Sequence, residues 1–329
     1  MRVATYFCSI AFLLAACTTA SSTSASQSAA TSPPVSLSAT ATSTPTPTPT
    51  PSPQGLAVDV PDPSNLVAGY GSLWARSGSS LWEISRGGHV ISRLNNVFSD
   101  KASAVDPQNL AIGMGSVWTV QARTVLRIDP TKERVVARVD TPRGCDQIAE
   151  GSGGMFLGCR DSRLFRIDPG SNQATLVTTV GVSPIGIAYG HGSIWWINAS
   201  EAGGVSKIDP VSGSITTVAA PYARFVVPSD QHIWFVDANG KAFTIDPSGS
   251  RASRAVQKAR VAVGVTSDHG TVLINDGDLV AFDAANGDVT QRTHVTGRQN
   301  YQAVAGIAVL GSHTWLVDPK GEQIVAVQP

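Results

Sequence analysis

The chain has 329 residues, enough for one large domain or two ordinary ones, and 42% of them are hydrophobic, which is sufficient for a core. Only 15% of the residues are charged, and Lys plus Arg balance Asp plus Glu, so the formal net charge is zero. A neutral chain has no overall field that would attract nucleic acid or anionic lipid. We therefore do not expect nucleic-acid binding, and any partner has to be recognised by local groups.

The N-terminus has the pattern of an export signal. Arg2 supplies a positive charge, and residues 3–16 form an uncharged, mostly apolar run that precedes Cys17. This run is too short to cross a bilayer as a helix. Its Leu-Ala-Ala-Cys ending resembles the bacterial lipobox, in which the cysteine becomes the lipidated first residue. We expect residues 1–16 to be a lipoprotein signal peptide and acyl chains on Cys17, palmitate among them, to hold the protein on the outer side of a membrane. An ordinary secretory signal with an incidental cysteine is the alternative.

A linker follows the lipidated cysteine. Residues 18–54 contain no charged residue and are almost wholly Ser, Thr, Ala and Pro. Such a segment cannot bury enough apolar surface to fold. We interpret residues 17–54 as a lipidated cysteine and a disordered linker, which would reach roughly 100 Å if extended at ~3.1 Å per residue. Its composition also permits O-glycosylation.

Residues 55–329 contain a repeat with a period near 40 residues. Its most regular feature is a large apolar residue, which we call the anchor residue, that follows a turn and recurs every 38 to 44 residues. The anchor residues are Trp74, Trp118, Phe156, Trp195, Trp234, Leu273 and Trp315. An aliphatic residue lies eight positions before each of them, and a second apolar residue lies nine to thirteen positions after it. No helical periodicity is present in this part of the chain.

Each repeat unit fits four short strands. A single four-stranded blade leaves both faces of its sheet uncovered, whereas a closed ring of blades covers them. The sequence therefore predicts an all-β fold, a seven-bladed β-propeller with four-stranded blades. The seventh unit ends after its third strand, so Leu56 to Val60 is predicted to supply the fourth strand and to close the ring. We expect a monomer.

Two cysteines remain for the folded domain once Cys8 is removed with the signal and Cys17 is lipidated. Cys145 and Cys159 both belong to the third unit, and folding about the turn at Gly151 to Gly154 places them nearly opposite each other. In an oxidising compartment this arrangement predicts a disulfide. A thiol metal site is the alternative, but no histidine stands at ligand spacing.

Two further sets of polar residues are interpreted as turn formers. Asp followed by Pro is typical of a type I turn and occurs between the third and fourth strands of four units, at Asp129, Asp168, Asp209 and Asp246. Four histidines stand between the first and second strands, where left-handed backbone is tolerated. These are His191, His232, His269 and His313.

The repeat resembles that of the streptogramin (virginiamycin B) lyase-like propellers and their non-enzymatic surface relatives. The likeness is carried by units such as Pro184 to Trp195 and covers residues 56–329. It implies a seven-bladed propeller and, in the lyases, a catalytic His before the Gly-Ile of an inner strand, then a Glu and a second His after the aromatic residue, with Mg²⁺. The corresponding positions in this chain are Ile185, Asn198 and Ser200 in the fourth unit and Ala305, Asp318 and Lys320 in the seventh. No unit has the complete set.

The candidate binding residues lie on one face of the ring, which we call the upper face and which carries the loops leading into the innermost strands and the loops after the anchor strands. The first three units present polar residues before the innermost strand, and the fifth presents an arginine. The set is Asn65, Gln108, Asn109, Asp146, Gln147 and Arg224. We expect the amides to line one side of a wet channel mouth and to orient a ligand.

Three aspartates are a candidate cation site on the same face. Asp237, Asp276 and Asp318 each stand three residues after an anchor residue in consecutive units. They would form an acidic arc for a divalent cation, although Asp237 and Asp276 also fit ordinary turn sequences. No other cofactor is expected.

The leading functional hypothesis is a non-enzymatic, surface-tethered binding module for a glycan, peptide or protein. The alternative is a metal-dependent lyase or hydrolase built from Asp146, Arg224 and the aspartate arc. Such an enzyme would need the metal because no His or paired Glu is available as a general base. A purely structural envelope component is the third class.

Overall fold

The computed structural model describes residues 56–98, 109–121, 123–199, 204–220, 223–237, 239–249, 262–295, 306–318 and 320–328, together with the backbone of 254–256. The propeller lies within the compact unit Pro53–Pro329. The predicted signal peptide at 1–16, Cys17 and the linker at 17–54 lie outside the described residues. Within the described part of the chain, no helix is long and apolar enough to span a membrane.

The described residues form 28 strands in seven antiparallel four-stranded sheets, and the strands of each blade are ordered from the innermost to the outermost. Blade 1 contains β2 (Pro63–Gly69), β3 (Ser72–Ser77), β4 (Ser80–Ser85) and β5 (Val90–Leu94). Blade 2 contains β6 (Leu110–Gly113), β7 (Ser116–Gln121), β8 (Thr124–Asp129) and β9 (Arg134–Asp140). Blade 3 contains β10 (Cys145–Gly151), β11 (Gly154–Cys159), β12 (Arg163–Asp168) and β13 (Gln173–Thr179).

The other four blades repeat this order. Blade 4 contains β14 (Pro184–Gly190), β15 (Ser193–Asn198), β16 (Val205–Ile208) and β17 (Ile215–Val218). Blade 5 contains β18 (Ala223–Pro228), β19 (Ile233–Asp237), β20 (Ala242–Ile245) and β21 (Arg254–Val256). Blade 6 contains β22 (Gly264–Asp268), β23 (Thr271–Asn275), β24 (Asp278–Asp283) and β25 (Val289–His294). Blade 7 contains β26 (Ile307–Leu310), β27 (His313–Asp318), β28 (Gln323–Val327) and β1 (Ala57–Asp59).

The N-terminal strand closes the ring, as the sequence predicted. β1 pairs antiparallel with β28 on the outer edge of blade 7. The pairing extends one residue beyond the strand at each end, because Leu56 O accepts from Ala326 N and Val60 N donates to Glu322 O. The innermost strands of consecutive blades contact one another, and β2 contacts β26. The ring is therefore continuous from blade 7 to blade 1, and the fold is a seven-bladed β-propeller.

The anchor residues explain the period of the repeat. All seven are buried, and each packs in a cluster with the following blade: Trp74, for example, packs with Leu110 and Val117, and Trp315 packs with Leu66 and Leu73. Each large side chain thus covers the sheet face of the next blade, which an isolated blade would leave in water. One such residue is needed per blade, which is why the spacing follows the blade length.

The aspartates of the four Asp-Pro pairs occupy turns on the lower face, the face opposite the upper one. Each Asp of the Asp-Pro pairs uses Oδ1 to accept from the backbone N–H two residues later, as Asp168 does from Gly170 at 2.8 Å. Asp283 makes the same turn without a following proline. His191 and His269 have φ of 50° and 37°, so they adopt the predicted left-handed conformation. His232 and His313 do not, and His313 is the first residue of β27, so the prediction is wrong for these two. The aspartates are therefore turn formers, as predicted.

Candidate functional site

β-Bulges occur at the upper ends of the innermost strands in blades 1, 3, 4 and 5. In β2, Pro63 faces Ser77 and Asn65 faces Arg76, so Ser64 is an extra residue between two neighbouring pairs. The extra residues of the four bulges are Ser64, Asp146, Ile185 and Arg224. Gln108, at the corresponding position of blade 2, lies outside the described residues. Since a bulge re-aims the side chain of its extra residue, four blades present a diverted side chain at the same end of the ring.

Two of the predicted amides, Asn65 and Gln147, lie directly after bulges, Asn109 holds the equivalent position of blade 2, and all three are buried. Asn65, Asn109 and Gln147 are 3%, 7% and 3% exposed. Asn65 and Asn109 do converge, since Asn65 Nδ2 donates to Asn109 Oδ1 at 2.5 Å. The expectation that these amides line a wet mouth is nevertheless wrong. The bulge returns the next residue to the sheet face that the neighbouring blade covers, and the bond from Asn65 to Asn109 joins blades 1 and 2.

Gln147 differs from the other two amides. Its Oε1 is buried and has no hydrogen-bond partner among the described residues. Blade 7 carries Gly306 at the equivalent position, where a Cβ would lie 2.7 Å from the backbone nitrogen of Leu66. Blades 7 and 1 therefore approach too closely there for an amide side chain. These three buried amides are found in blades 1, 2 and 3, on one side of the ring.

Asp146 forms an ion pair that the sequence did not predict. Its Oδ2 accepts from Arg160 Nε at 2.5 Å, and the side chains of Asp146 and Arg160 are 17% and 64% exposed. The predicted disulfide between Cys145 and Cys159 is present directly beside this pair. The disulfide holds the two strands at a fixed separation. Because Asp146 and Arg160 each follow one of the bonded cysteines, the disulfide also keeps these two charged residues close together. The position of Asp146 and Arg160 directly after the two cysteines is the sequence feature from which this ion pair could have been predicted.

Charge and polarity change from blade to blade around this part of the upper face. Blade 3 presents the Asp146–Arg160 pair, blade 4 presents Ile185, which is 40% exposed, and blade 5 presents the half-buried Arg224. An acidic group, an apolar group and a basic group thus occupy equivalent bulges of three consecutive blades. Such an arrangement can recognise a ligand with separated polar and apolar parts.

The predicted aspartate arc is not formed. Asp237 Oδ1 accepts from the backbone N–H groups of Asn239 and Lys241, and Asp318 Oδ1 accepts from Gly321 N. Asp276 is fully buried and is paired with Arg292. Each carboxylate therefore serves its own blade. In the described ranges, no three His, Cys, Asp or Glu side chains are close enough to hold a metal ion.

Asp276 belongs instead to a charge cluster within blade 6. Arg292 Nη1 contacts Asp276 Oδ2 at 3.1 Å and Asp278 Oδ2 at 3.3 Å, and His294 Nδ1 lies 2.8 Å from Asp278 Oδ1. The side chains of Asp276 and Asp278 are 0% and 8% exposed, whereas that of Arg292 is 37% exposed. The guanidinium therefore compensates two buried carboxylates.

The positions that carry the lyase chemistry in the resembling family hold other groups in blade 4. Ile185, at the position of the catalytic His, is an exposed apolar side chain. Asn198, at the position of the Glu, accepts a hydrogen bond from Ser206 Oγ at 3.2 Å. Ser200 and Ala305 lie outside the described residues.

Comparison with solved structures gives the same fold. Hydrazine synthase of Kuenenia stuttgartiensis is similar over 82% of this chain and 96% of that one, with a TM-score of 0.65 and 11% identity. The Pan2 WD40 domain of Neurospora crassa matches 82% of this chain and 91% of its own, with a TM-score of 0.64 and 13% identity. The computationally designed Ika8 protein matches 84% of this chain and 100% of its own, with a TM-score of 0.60 and 10% identity.

These likenesses establish a β-propeller and nothing finer, because propellers of such low identity serve unrelated functions. No protein-family model and no curated protein matches the chain.

Proposed function

We propose that the protein is a lipid-tethered, extracytoplasmic binding protein whose propeller presents its upper face to a glycan, peptide or protein. The observation that carries this proposal is the recurrence of β-bulges at one end of four innermost strands. Bulges interrupt strand pairing and are common beside functional sites. Through these bulges Asp146, Ile185 and Arg224, from three consecutive blades, stand at the same end of the ring.

The chemistry of the diverted side chains supports a ligand of mixed polarity. Asp146 with Arg160 offers an ion pair that a charged ligand can open, Ile185 offers apolar area, and Arg224 offers five donors for a carboxylate or phosphate. Exposed ion pairs contribute little to stability, so they are available for recognition. A peptide or an acidic glycan fits this combination.

Export and tethering are supported by the sequence pattern at Cys17 and by the charge-free linker that follows. In the proposal, the acyl chains hold the protein on the membrane and the linker lets the upper face reach partners at a distance. Fractionation of cells expressing wild type and Cys17→Ala tests this step. The variant should move from the membrane to the medium or periplasm with its fold intact, and retention in the membrane would refute tethering through Cys17.

The binding proposal is tested with glycan and peptide arrays. The purified protein should give hits that are weakened about tenfold or more by Asp146→Asn and by Arg224→Ala, because each removes a charged contact. Arg134→Ala, an exposed arginine on the outer strand of blade 2, is the matched control and should bind as wild type does. Hits that survive both upper-face changes would place the binding surface elsewhere.

A metal-dependent lyase or hydrolase of the streptogramin lyase-like type is the second candidate, and the resemblance of the repeat favours it. Its catalytic positions in this chain hold Ile185 and Asn198, neither of which can act as a general base. Metal analysis after dialysis discriminates the two candidates. A stoichiometric divalent ion that is lost in Asp146→Asn would favour the enzyme.

A further inference from the structure

A cleft opens on the lower face, where the innermost strands of blades 4, 5 and 6 end. Its volume is about 360 Å³, and side chains of all three blades line it: His191, Ser229, Asp230, Ser267 and His269. This volume falls in the range of small-molecule sites. The cleft is on the opposite face from the bulges, so it is separate from the proposed upper-face site.

The side-chain donors of blades 4 and 6 that border the cleft are already used within the fold. His191 Nε2 lies 2.8 Å from Ser229 O, and because a carbonyl can only accept, Nε2 carries the hydrogen. Ser267 Oγ donates to Pro228 O at 2.7 Å for the same reason. In its neutral form His191 therefore keeps Nδ1 as an acceptor, and Ser267 keeps its lone pairs.

The remaining groups add acceptors and negative charge. His269 Nδ1 donates to Asp268 Oδ1 at 2.5 Å, so its Nε2 is an acceptor when the ring is neutral. Asp230 is exposed at the rim and, as a carboxylate, accepts only. The hydrogen bond and charge of Asp268, and to a smaller extent the charge of Asp230, raise the pKa of His269 and so favour its protonated form. Because the hydrogens of His191 Nε2 and Ser267 Oγ are already used, an anionic ligand would find few side-chain donors here and would face the carboxylate of Asp230.

We propose that this cleft binds a small organic cation and recognises it through a primary ammonium group. An ammonium has three donors and no acceptor, which complements a cleft whose side chains offer acceptors. A divalent metal is less suited, because within the described part of the chain no three metal-ligating side chains come together. The imidazole nitrogen of His191 and the carboxylate of Asp230 are the groups expected to contact the ammonium.

The test uses the full exported chain at pH 7.5, with n-butylamine as the cation and n-butanol as its neutral counterpart. Binding is followed by NMR through the ring protons of His191 and His269. n-Butylamine should give saturable shifts with a millimolar Kd, and n-butanol should give none. Asp230→Asn should weaken binding about tenfold or more, since it removes the charge with little change of shape.

Two further variants make the result specific. His191→Gly removes the imidazole but keeps the turn, because glycine readily adopts the positive φ of this position, and it should also weaken binding. Asp288→Asn, an exposed aspartate in a lower-face turn of blade 6, should leave the Kd unchanged. Equal binding of the alcohol, an unchanged Kd in Asp230→Asn, equal weakening by Asp288→Asn, or no saturation by the amine would each overturn the proposal.

Discussion

Asn65 Nδ2 donates a hydrogen bond to Asn109 Oδ1, and both side chains are buried between blades 1 and 2. The two residues are 44 positions apart in the sequence, about one blade length. Their contact therefore joins equivalent points of neighbouring blades at the upper end of the ring. The pair stabilises the end of β2 that carries the bulge at Ser64.

Substituting one member of this pair should lower stability. Asn109→Ala leaves a buried donor of Asn65 without this acceptor, and the expected loss is about 1–3 kcal/mol in the free energy of unfolding, measured by urea denaturation. The double variant with Asn65→Ala should lose less than the sum of the two single changes. Asn239→Ala, an exposed turn residue, serves as the control and should change stability little. Additive losses would show that the two amides act independently.

The ring was predictable from the sequence because its cause is periodic. Each blade needs one large residue to cover the next, so Trp74, Trp118 and their equivalents recur at the blade length. The N-terminal strand was predictable for a related reason, since a blade that lacks its outer strand has an unpaired edge that another segment must cover.

The details of the upper face were not predictable from the sequence. A bulge shifts the alternation of a strand by one residue, and no sequence pattern marks Ser64 or Arg224 as the extra residue. The sequence pattern consequently predicted that the amides line a wet channel mouth, whereas they are buried. Likewise, the registers of β23 with β24 and of β24 with β25 bring Arg292 next to Asp276. A spacing of 16 residues in the sequence does not predict this pairing.

Removing the closing strand should destabilise the whole ring. Deletion of residues 56–60 takes away the partner of β28 and exposes the surface covered by Val58 and Val60, which are 5% and 0% exposed. Burying two such side chains contributes about 3–6 kcal/mol. Thermal unfolding should begin at a lower temperature, and aggregation should increase because the open edge is unpaired. A melting curve like that of the full chain would mean that another segment replaces β1.

The disulfide should contribute measurably to stability. Cys145 and Cys159 close a loop with a sequence separation of 14, for which loss of chain entropy in the unfolded state gives about 3 kcal/mol. Peptide mapping without reductant should recover the linked peptides from exported protein. The Cys145→Ser, Cys159→Ser variant should unfold at lower urea concentration than the oxidised protein and should be insensitive to dithiothreitol. Equal midpoints for the oxidised protein and the variant would contradict the prediction.

Arg292 should matter more for stability than its exposure suggests. Arg292→Met leaves the fully buried carboxylate of Asp276 without its cation. We expect a loss of about 2–3 kcal/mol, less than for a fully buried pair because the guanidinium is partly solvated. Adding Asp276→Asn should recover much of the loss, since the amide oxygen can still accept from Asp278 N. If the double variant is no more stable than Arg292→Met, the cost comes from lost packing instead.

The pKa of His269 should depend on the carboxylate of Asp268. The hydrogen bond and charge of Asp268 raise the pKa of His269 above its ordinary value of 6.5. Asp268→Asn removes the charge, so the pKa should fall toward the value of an unperturbed histidine, as measured by NMR titration of the ring protons. Asp288→Asn should leave it unchanged.

The sign of the stability effect follows from the same shift. Because the folded-state pKa is raised, the pairing of His269 with Asp268 contributes its full stabilisation below the unfolded pKa, near 6.5. That contribution is lost as the pH rises through the folded-state pKa. Between slightly acidic and slightly alkaline pH, the wild type should therefore lose a small increment of stability that Asp268→Asn does not lose. The increment is small because the ring is exposed, so it is read from the difference between the two proteins' urea midpoints across this window. Parallel midpoints across the window, together with equal pKa values of His269 in the two proteins, would show that the pair does not form in solution.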